Sequence, residues 1–371
     1  MMLESDGPGG AEVMLLRLSE ELRKRGHYVL PVGPSQRTGW LAEQFRRHGF
    51  NPEVYHLRRP LDPGGVRDLL RLFTRYRIDV VHSHEFTMAV YGAAAARLVG
   101  LPQIITMHGG LTVCKALRRR VALRWAMRQS SHVVMVSNAT RRQFSQDLGV
   151  DESAFSVIPN GVPVRTGSAD AVRREFGIAP NECVLLAVGN LELHKGHHVL
   201  LQSLTQLRER MPNESWRLII AGGRGGAQHG ALTEYVRDHG LANRVHISLN
   251  RQDIPDLQAA ADVFVMPSIW EGLPLALLEA MVAHKAIVAS ATAGIPEAIR
   301  DGEDGLLVQP GDVGALTDAL QIMIGDPEKR RRFADAAEER ARQNFTAQVM
   351  AERYERVYMS ALTASRKVRV A

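Results

Sequence analysis

The chain has 371 residues, 45% apolar and 23% charged, with a net charge of +6. That length exceeds one ordinary hydrophobic core and points to two domains, with the apolar content of a soluble globular protein. No apolar run approaches the roughly 20 residues that span a bilayer, and Met1–Asp6 already carries two acids, unlike a secretion signal. Cys114 and Cys183 fit neither a disulfide framework nor a metal-ligand spacing, so a cytosolic, reducing location is expected. The charge is uneven: residues 1–165 carry a net +9 and the remainder a net −3. A basic first half should face an anionic partner. No zinc-finger, RNP-like or recognition-helix signature accompanies it, which argues against nucleic acid.

Short apolar strands alternate with amphipathic helices, the pattern of parallel sheets covered by helices. Gly9 and Gly10 open a helix over Ala11–Arg25, with Ala11, Leu15, Leu18 and Leu22 on one face. Gly26 ends it, and Tyr28–Val32 reads as the next strand. Val66, Leu69, Leu70 and Phe73 mark another helix, followed by a strand over residues 79–83. Gln103–Met107 and His132–Val136 are further buried strands. His108, directly after the first of these, sits at a carboxyl end, where open α/β sheets hold ligands. His82 and His84 are runners-up, and His27 reads as structural.

The pattern restarts at Cys183–Val188, then Arg217–Ala221, Val245–Leu249, Asp262–Met266 and Ala286–Ala289. Two Rossmann-like α/β domains in tandem follow, residues 1–165 and 166–346. A last helix over Thr346–Leu362 carries Met350, Tyr354, Val357 and Tyr358 at helical spacing. The most informative segment runs from the strand Asp262–Met266 through a polar turn into a helix opened by Pro274. Proline suits a first helical position, and the N–H groups of Gly272, Leu273 and Leu275 then lack intrahelical acceptors at the positive end of a dipole. Such an end binds phosphate, and Glu271 and Glu279 bracket it with acids able to grip hydroxyls.

Glu271-Gly-Leu-Pro-Leu-Ala-Leu-Leu-Glu279-Ala-Met281 resembles the E-x7-E signature of the family 4 retaining glycosyltransferases, enzymes of the two-domain GT-B fold. Two acids at this spacing are weak evidence alone; the context carries the resemblance. The preceding strand, the Pro267-Ser268 turn, Ala293-Gly294-Ile295-Pro296-Glu297 and the run 301–308 all fall in the family's order. The resemblance implies parallel sheets facing an interdomain cleft, with the last helix, 347–371, crossing back to the first domain. It implies a nucleotide-sugar donor, with no cofactor and no metal; the base is uridine or guanosine, with UDP ranked ahead of GDP. Glu279 would accept hydrogen bonds from the ribose, Glu271 would lie beside the transferred sugar, and His108 would serve the sugar and acceptor. Gly9 and Gly10 would face the diphosphate.

Gly189-Asn190-Leu-Glu-Leu-His-Lys195-Gly196 resembles the family's loop of arginine and lysine that neutralise the departing diphosphate. Lys195 is in place, while Asn190 replaces the arginine with an uncharged hydrogen-bonding group. Arg251 and Arg224 are the nearest substitutes by sequence. Residues 245–253 match the nucleobase loop, with Leu249 where its glycine is expected. The family places a full strand before Gly9, whereas only Met1-Met2-Leu3 stands before Glu4. Three residues would leave neighbouring strands unpaired, so a start several codons upstream is expected, or else a frayed first strand.

The segment 115–128 is helical in pattern, with Arg118, Arg119, Arg120, Arg124 and Arg128 beside Leu117, Val121 and Trp125. Its plainer reading is a solvated face over a packed one, and its sharper reading is contact with an anionic membrane surface. The expected activity is transfer of a sugar to a saccharide or glycolipid hydroxyl, in cell-surface polysaccharide or lipopolysaccharide assembly, from the cytoplasm or the inner membrane face. The rivals are a GT-B-fold nucleotide-sugar epimerase and a catalytically weakened partner protein.

Overall fold

A computed structural model describes residues 1–371 apart from 6, 8, 35–38, 58–61, 110–115, 224–225 and 371, and apart from the side chains of 366–370. Gly110, Cys114, Lys115 and Arg224 therefore lie outside the described residues. The chain forms two compact units, Met1–Gly161 with Ala347–Ala371, and Val162–Thr346.

The first unit holds β1 (Val32–Pro34), β2 (Glu53–Tyr55), β3 (Val81–His84), β4 (Gln103–Met107), β5 (His132–Met135) and β6 (Ser156–Val157), all parallel. Met2 bridges β1 and β3, giving the order β2-β1-Met2-β3-β4-β5-β6. Met2 N–H donates to the His82 carbonyl and His84 N–H to the Met2 carbonyl, each at 2.9 Å, while Val32 N–H donates to the Met1 carbonyl at 2.8 Å. Three residues thus pair the centre of the sheet. The expected strands at 28–32 and 79–83 start late, at Val32 and Val81. A cavity of about 400 Å³ is lined by Met1, Leu30, Phe73, Val80, His82 and Tyr358 among others. The Met1 α-amine donates to the Leu30 carbonyl at 2.8 Å, and burial pulls its pKa down to about 5.

The last helix, Ala347–Val370, belongs to this unit. Met350, Ala351, Tyr354 and Ala361 pack with Met14, Leu18 and Leu22 of the first helix, Gly10–Lys24, and with Ile104 of β4. Polar pairs reinforce it: Tyr358 OH lies 2.7 Å from His82 Nδ1, and Tyr354 OH 3.0 Å from Thr106 Oγ1.

The second unit is a parallel sheet of β7 (Cys183–Val188), β8 (Trp216–Gly222), β9 (Val245–Leu249), β10 (Val263–Met266), β11 (Ala286–Ser290) and β12 (Leu306–Val308), in the order β12-β11-β10-β7-β8-β9. Successive side chains feed two cores. Leu185 and Ala187 join Leu200, Leu204 and Leu320 on one face, while Val184 and Leu186 join Leu277, Leu278 and Met281 on the other. A strand buried on both faces reads as an unbroken apolar run, which is why β7 was legible. The order reverses between β7 and β10, which creates a crevice at their carboxyl ends.

Candidate functional site

In the second unit two loops meet at that crevice. The loop after β7 carries Asn190 and a single helical turn Leu193–Lys195; the loop after β10 carries Pro267, Ser268 and Glu271. They interlock through the backbone, because Ile269 N–H donates to the His194 carbonyl at 2.7 Å. Gly196 makes the approach possible: its φ is +69°, and an added Cβ would stand 1.9 Å from the Pro267 carbonyl oxygen. Only glycine combines that left-handed backbone with that contact. The result is a charged pair at the mouth of the crevice. Lys195 Nζ lies 2.5 Å from Glu271 Oε1, which also accepts from Ser268 Oγ at 2.9 Å. Glu271 is 8% exposed and Ser268 1%, whereas the Lys195 side chain keeps 21% of its surface. The cation is the more accessible member.

Pro274 is the residue before the helix rather than its first turn: the helix runs Leu275–Val282, and Pro274 holds extended angles of −75° and 126°. Its side-chain face is apolar, with Leu277, Leu278 and Met281 buried, and Glu279 is half-buried. Gly272 and Leu275 are also half-buried, and Leu273 is buried. The 293–297 segment supports the turn from behind, with Gly294 N–H 3.5 Å from the Glu271 carbonyl and Thr292 Oγ1 donating to the Ile269 carbonyl at 3.0 Å.

Asn190 is exposed, and its Oδ1 fills the space over Gly223, where a Cβ would lie 2.2 Å away. Arg251 is already committed. Its guanidinium donates to Glu175 at 2.5 and 2.8 Å and to Asp253 at 2.6 and 2.9 Å, over the Phe176 ring, and these carboxylates raise its pKa. A cation so engaged holds the loop after β9 rather than standing free for a phosphate. The residue there with the left-handed backbone that favours glycine is Asn250, at φ +57°, not Leu249, which ends β9. Buried His197, on the helix after Gly196, is pulled down to about 4 by burial, the Gly189 and Asn190 backbone partly offsetting this.

In the first unit Gly9 caps the helix Gly10–Lys24, and an added Cβ there would meet Glu12 Oε2 at 2.4 Å, whereas nothing lies within 4 Å of one at Gly10. The missing Cβ of Gly9 leaves room for a buried carboxylate in the first helical turn. His108, at the end of β4, is half-buried. Its Nε2 lies 2.9 Å from His84 Nδ1, and its N–H donates to Glu85 Oε1 at 3.0 Å. His27 instead pairs with Glu355 at 2.7 Å, a link from the segment after the first helix to the last helix. Sequence reasoning passed over Glu85, Glu12, His197 and the role of Ser268. The sequence signals were the position of Glu85 directly after His84 and that of Ser268 in the Pro267-Ser268 turn.

Burial holds His82 and His84 well below the usual histidine pKa and His108 at about 4, while burial beside Glu12 and Glu4 lifts Glu85 to about 7. These shifts have opposite signs in stability. The unfolded chain protonates the histidines near 6.5 and the folded chain does not, so their contribution is full above about 6.5 and is lost as pH falls toward 4. Glu85 keeps its proton longer when folded, so it costs stability as pH rises from 4.5 to about 7. With His197 the histidines outnumber the acid. The urea midpoint should therefore climb between pH 5 and 7, and His108→Asn should flatten that climb. A midpoint highest at pH 5 would contradict the assignment.

The profile of Glycosyltransferase Family 4 matches residues 8–166, and that of Glycosyl transferases group 1 matches residues 168–340. Glycogen synthase of Mycobacterium tuberculosis is 31% identical over 302 residues, spanning 79% of this chain and 71% of that protein. The D-inositol 3-phosphate glycosyltransferase of Corynebacterium diphtheriae is 28% identical over 95% of this chain and 90% of its own length. The crystal structure of HepE from Anabaena in complex with UDP has a TM-score of 0.83 and 26% identity, covering 97% of this chain and 99% of that one. With both profiles matched in order, and a relative of 31% identity sharing most of its length, the chain belongs to the group 1, family 4 glycosyltransferases and has their GT-B fold.

Proposed function

We propose that this glycosyltransferase moves a sugar from a nucleotide-diphosphate sugar to a hydroxyl of a saccharide or lipid-linked acceptor, with retention and without a metal ion. The observation that carries the reading is the Lys195–Glu271–Ser268 cluster at the β7/β10 crevice. Lys195 turns from Glu271 to the donor diphosphate, supplying the charge that a leaving group needs in a dry site. Glu271 faces the sugar, and Glu279 grips the ribose through charge-assisted bonds. Gly272, Leu273, Pro274 and Leu275 present the helix start to the phosphates. The bond from the anomeric carbon to phosphate breaks as that to the acceptor oxygen forms on the same face, and the acceptor proton passes to the departing phosphate. His108 is assigned to the sugar and acceptor, and Gly9 and Gly10 to donor binding. Asn190 contributes a neutral hydrogen bond, and Arg251 shapes the nucleobase loop.

Uridine is the preferred base, a choice supported by HepE having been solved with UDP. A ligand that binds only the folded state raises its melting temperature, by RT ln(1 + [L]/Kd) in free energy. UDP and UDP-sugars should raise it and GDP should not. Indifference to all of them would overturn the donor assignment.

The acceptor setting is cell-surface polysaccharide or lipopolysaccharide assembly at the inner membrane face. No helix among the described residues is long and apolar enough to cross a membrane. The helix Leu117–Gln129 supports a surface contact instead. It packs through Leu123 and Ala126, and it leaves Leu117, Val121 and Trp125 exposed by 73%, 60% and 39%. Its packed face is thus formed by Leu123 and Ala126, not by the Leu117, Val121 and Trp125 stripe that lies beside the arginines. They sit among Arg118, Arg119, Arg120, Arg124 and Arg128, the composition of a helix lying on an anionic bilayer. In flotation, the protein should rise with vesicles containing anionic lipid and not with neutral ones. Replacing Arg118, Arg124 and Arg128 by glutamate should abolish this; unchanged flotation would sink the idea.

A further inference from the structure

One dipeptide grips His108 at two points. Glu85 takes its main-chain N–H at 3.0 Å, and His84 Nδ1 meets its ring Nε2 at 2.9 Å, with the two rings stacked at 5.2 Å and 18°. Glu85 achieves this from φ +64°, a left-handed backbone that a residue other than glycine or asparagine adopts only under constraint. Both anchors come from the start of the helix Glu85–Val99, so the end of β4 is positioned from its neighbour β3.

The ring contact has one proton to place. A neutral imidazole has one N–H and one lone pair, and burial keeps both rings neutral. His84 Nε2 is buried with no hydrogen-bond partner among the described residues. If His84 carried its proton there, an N–H would be orphaned, the rarer and costlier outcome for a buried polar group. With the proton on Nδ1, only a lone pair goes unpaired. His82 offers no alternative. Its ring lies 4.1 Å from that of His84, but its nitrogens face Tyr358 OH at 2.7 Å and Thr106 Oγ1 at 2.8 Å. His84 therefore donates from Nδ1, and His108 accepts at Nε2.

We propose that His84 is a positioning residue that locks His108 in the Nδ1–H tautomer, making His108 a neutral hydrogen-bond donor in the transfer reaction rather than a general base. Its one lone pair is occupied by His84, so it has none with which to accept a proton. The catalytic half of this proposal rests on the role assigned to His108 under the proposed function; the tautomer does not.

Long-range ¹H–¹⁵N spectra of the full chain at pH 7.5, with His108 assigned by its loss in His108→Asn, decide the tautomer without perturbing His84. A protonated Nδ1 and bare Nε2 are expected, and a protonated Nε2 overturns the proposal. His84→Phe keeps the ring but removes the donor. It should release His108 into a mixture of tautomers and lower kcat tenfold or more at unchanged donor KM. His84→Asn, which can still donate, should restore much of both. If the Nδ1–H tautomer is found but His84→Phe leaves kcat intact while the His108 signals change, the tautomer stands and the catalytic role falls.

Discussion

Lys195→Ala is expected to lower kcat/KM for sugar transfer by about 10²–10³-fold, with the second unit still folded. Removing one preorganised group aimed at a developing negative charge typically costs about 3 kcal/mol of transition-state stabilisation, and Lys195 is the cation paired with Glu271, at 2.5 Å. Glu271→Gln should be comparably slow for a different reason. The amide keeps the shape and can keep the Ser268 contact, but it loses the charge beside the sugar. It also frees Lys195 from its partner. The two variants therefore separate in binding: Lys195→Ala should weaken UDP affinity, whereas Glu271→Gln should leave it unchanged or tighter, with the loss in kcat. Steady-state release of nucleoside diphosphate, UDP titration calorimetry and circular dichroism together test this. Equal effects on UDP affinity would show that the pair is structural, and full transfer by either variant would remove the catalytic assignment.

Gly196→Ala is expected to be the most damaging alanine substitution among the described glycines of the second unit. It would force a left-handed backbone on alanine, and it would put a Cβ 1.9 Å from the Pro267 carbonyl oxygen. Neither loop can yield freely, because the Ile269–His194 hydrogen bond ties them at 2.7 Å. A loss of about 3 kcal/mol is expected from the combined strain and clash, with transfer abolished as Lys195 is carried away from Glu271. Gly177→Ala is the matched control. Its φ is +60°, but nothing lies within 4 Å of the added atom, so it should cost only about 1 kcal/mol. Urea denaturation compares the two. Equal losses would mean that the close approach at Gly196 contributes nothing.

The class of architecture was legible because parallel strands buried on both faces are continuous apolar runs. Gln103–Met107, Cys183–Val188 and Val245–Leu249 begin and end where their composition places them. The expected strands at 28–32 and 79–83 are the exceptions, pairing only from Val32 and from Val81. A strand's length depends on what lies beside it, and that is not written in its own composition. Short strands such as Glu53–Tyr55 and Leu306–Val308 carry too few residues for a period to register.

The candidate site divides in the same way. Glu271, Glu279 and Lys195 could be singled out because turn chemistry, proline and glycine mark loops at strand ends locally. Nothing local shows that Lys195 reaches across 76 residues to Glu271, or that Arg251 is consumed by Glu175 and Asp253. Nor does sequence show that Leu117, Val121 and Trp125 face outward, since a helical stripe specifies a face but not which face is covered. By itself the sequence determined the repeating strand–helix pattern, the loops rich in glycine and the kinds of charge they carry. The tertiary structure decided which charges pair, which histidine holds another and which apolar stripe stays bare. Those outcomes depend on the order of strands in each sheet, which brings together residues far apart in the chain.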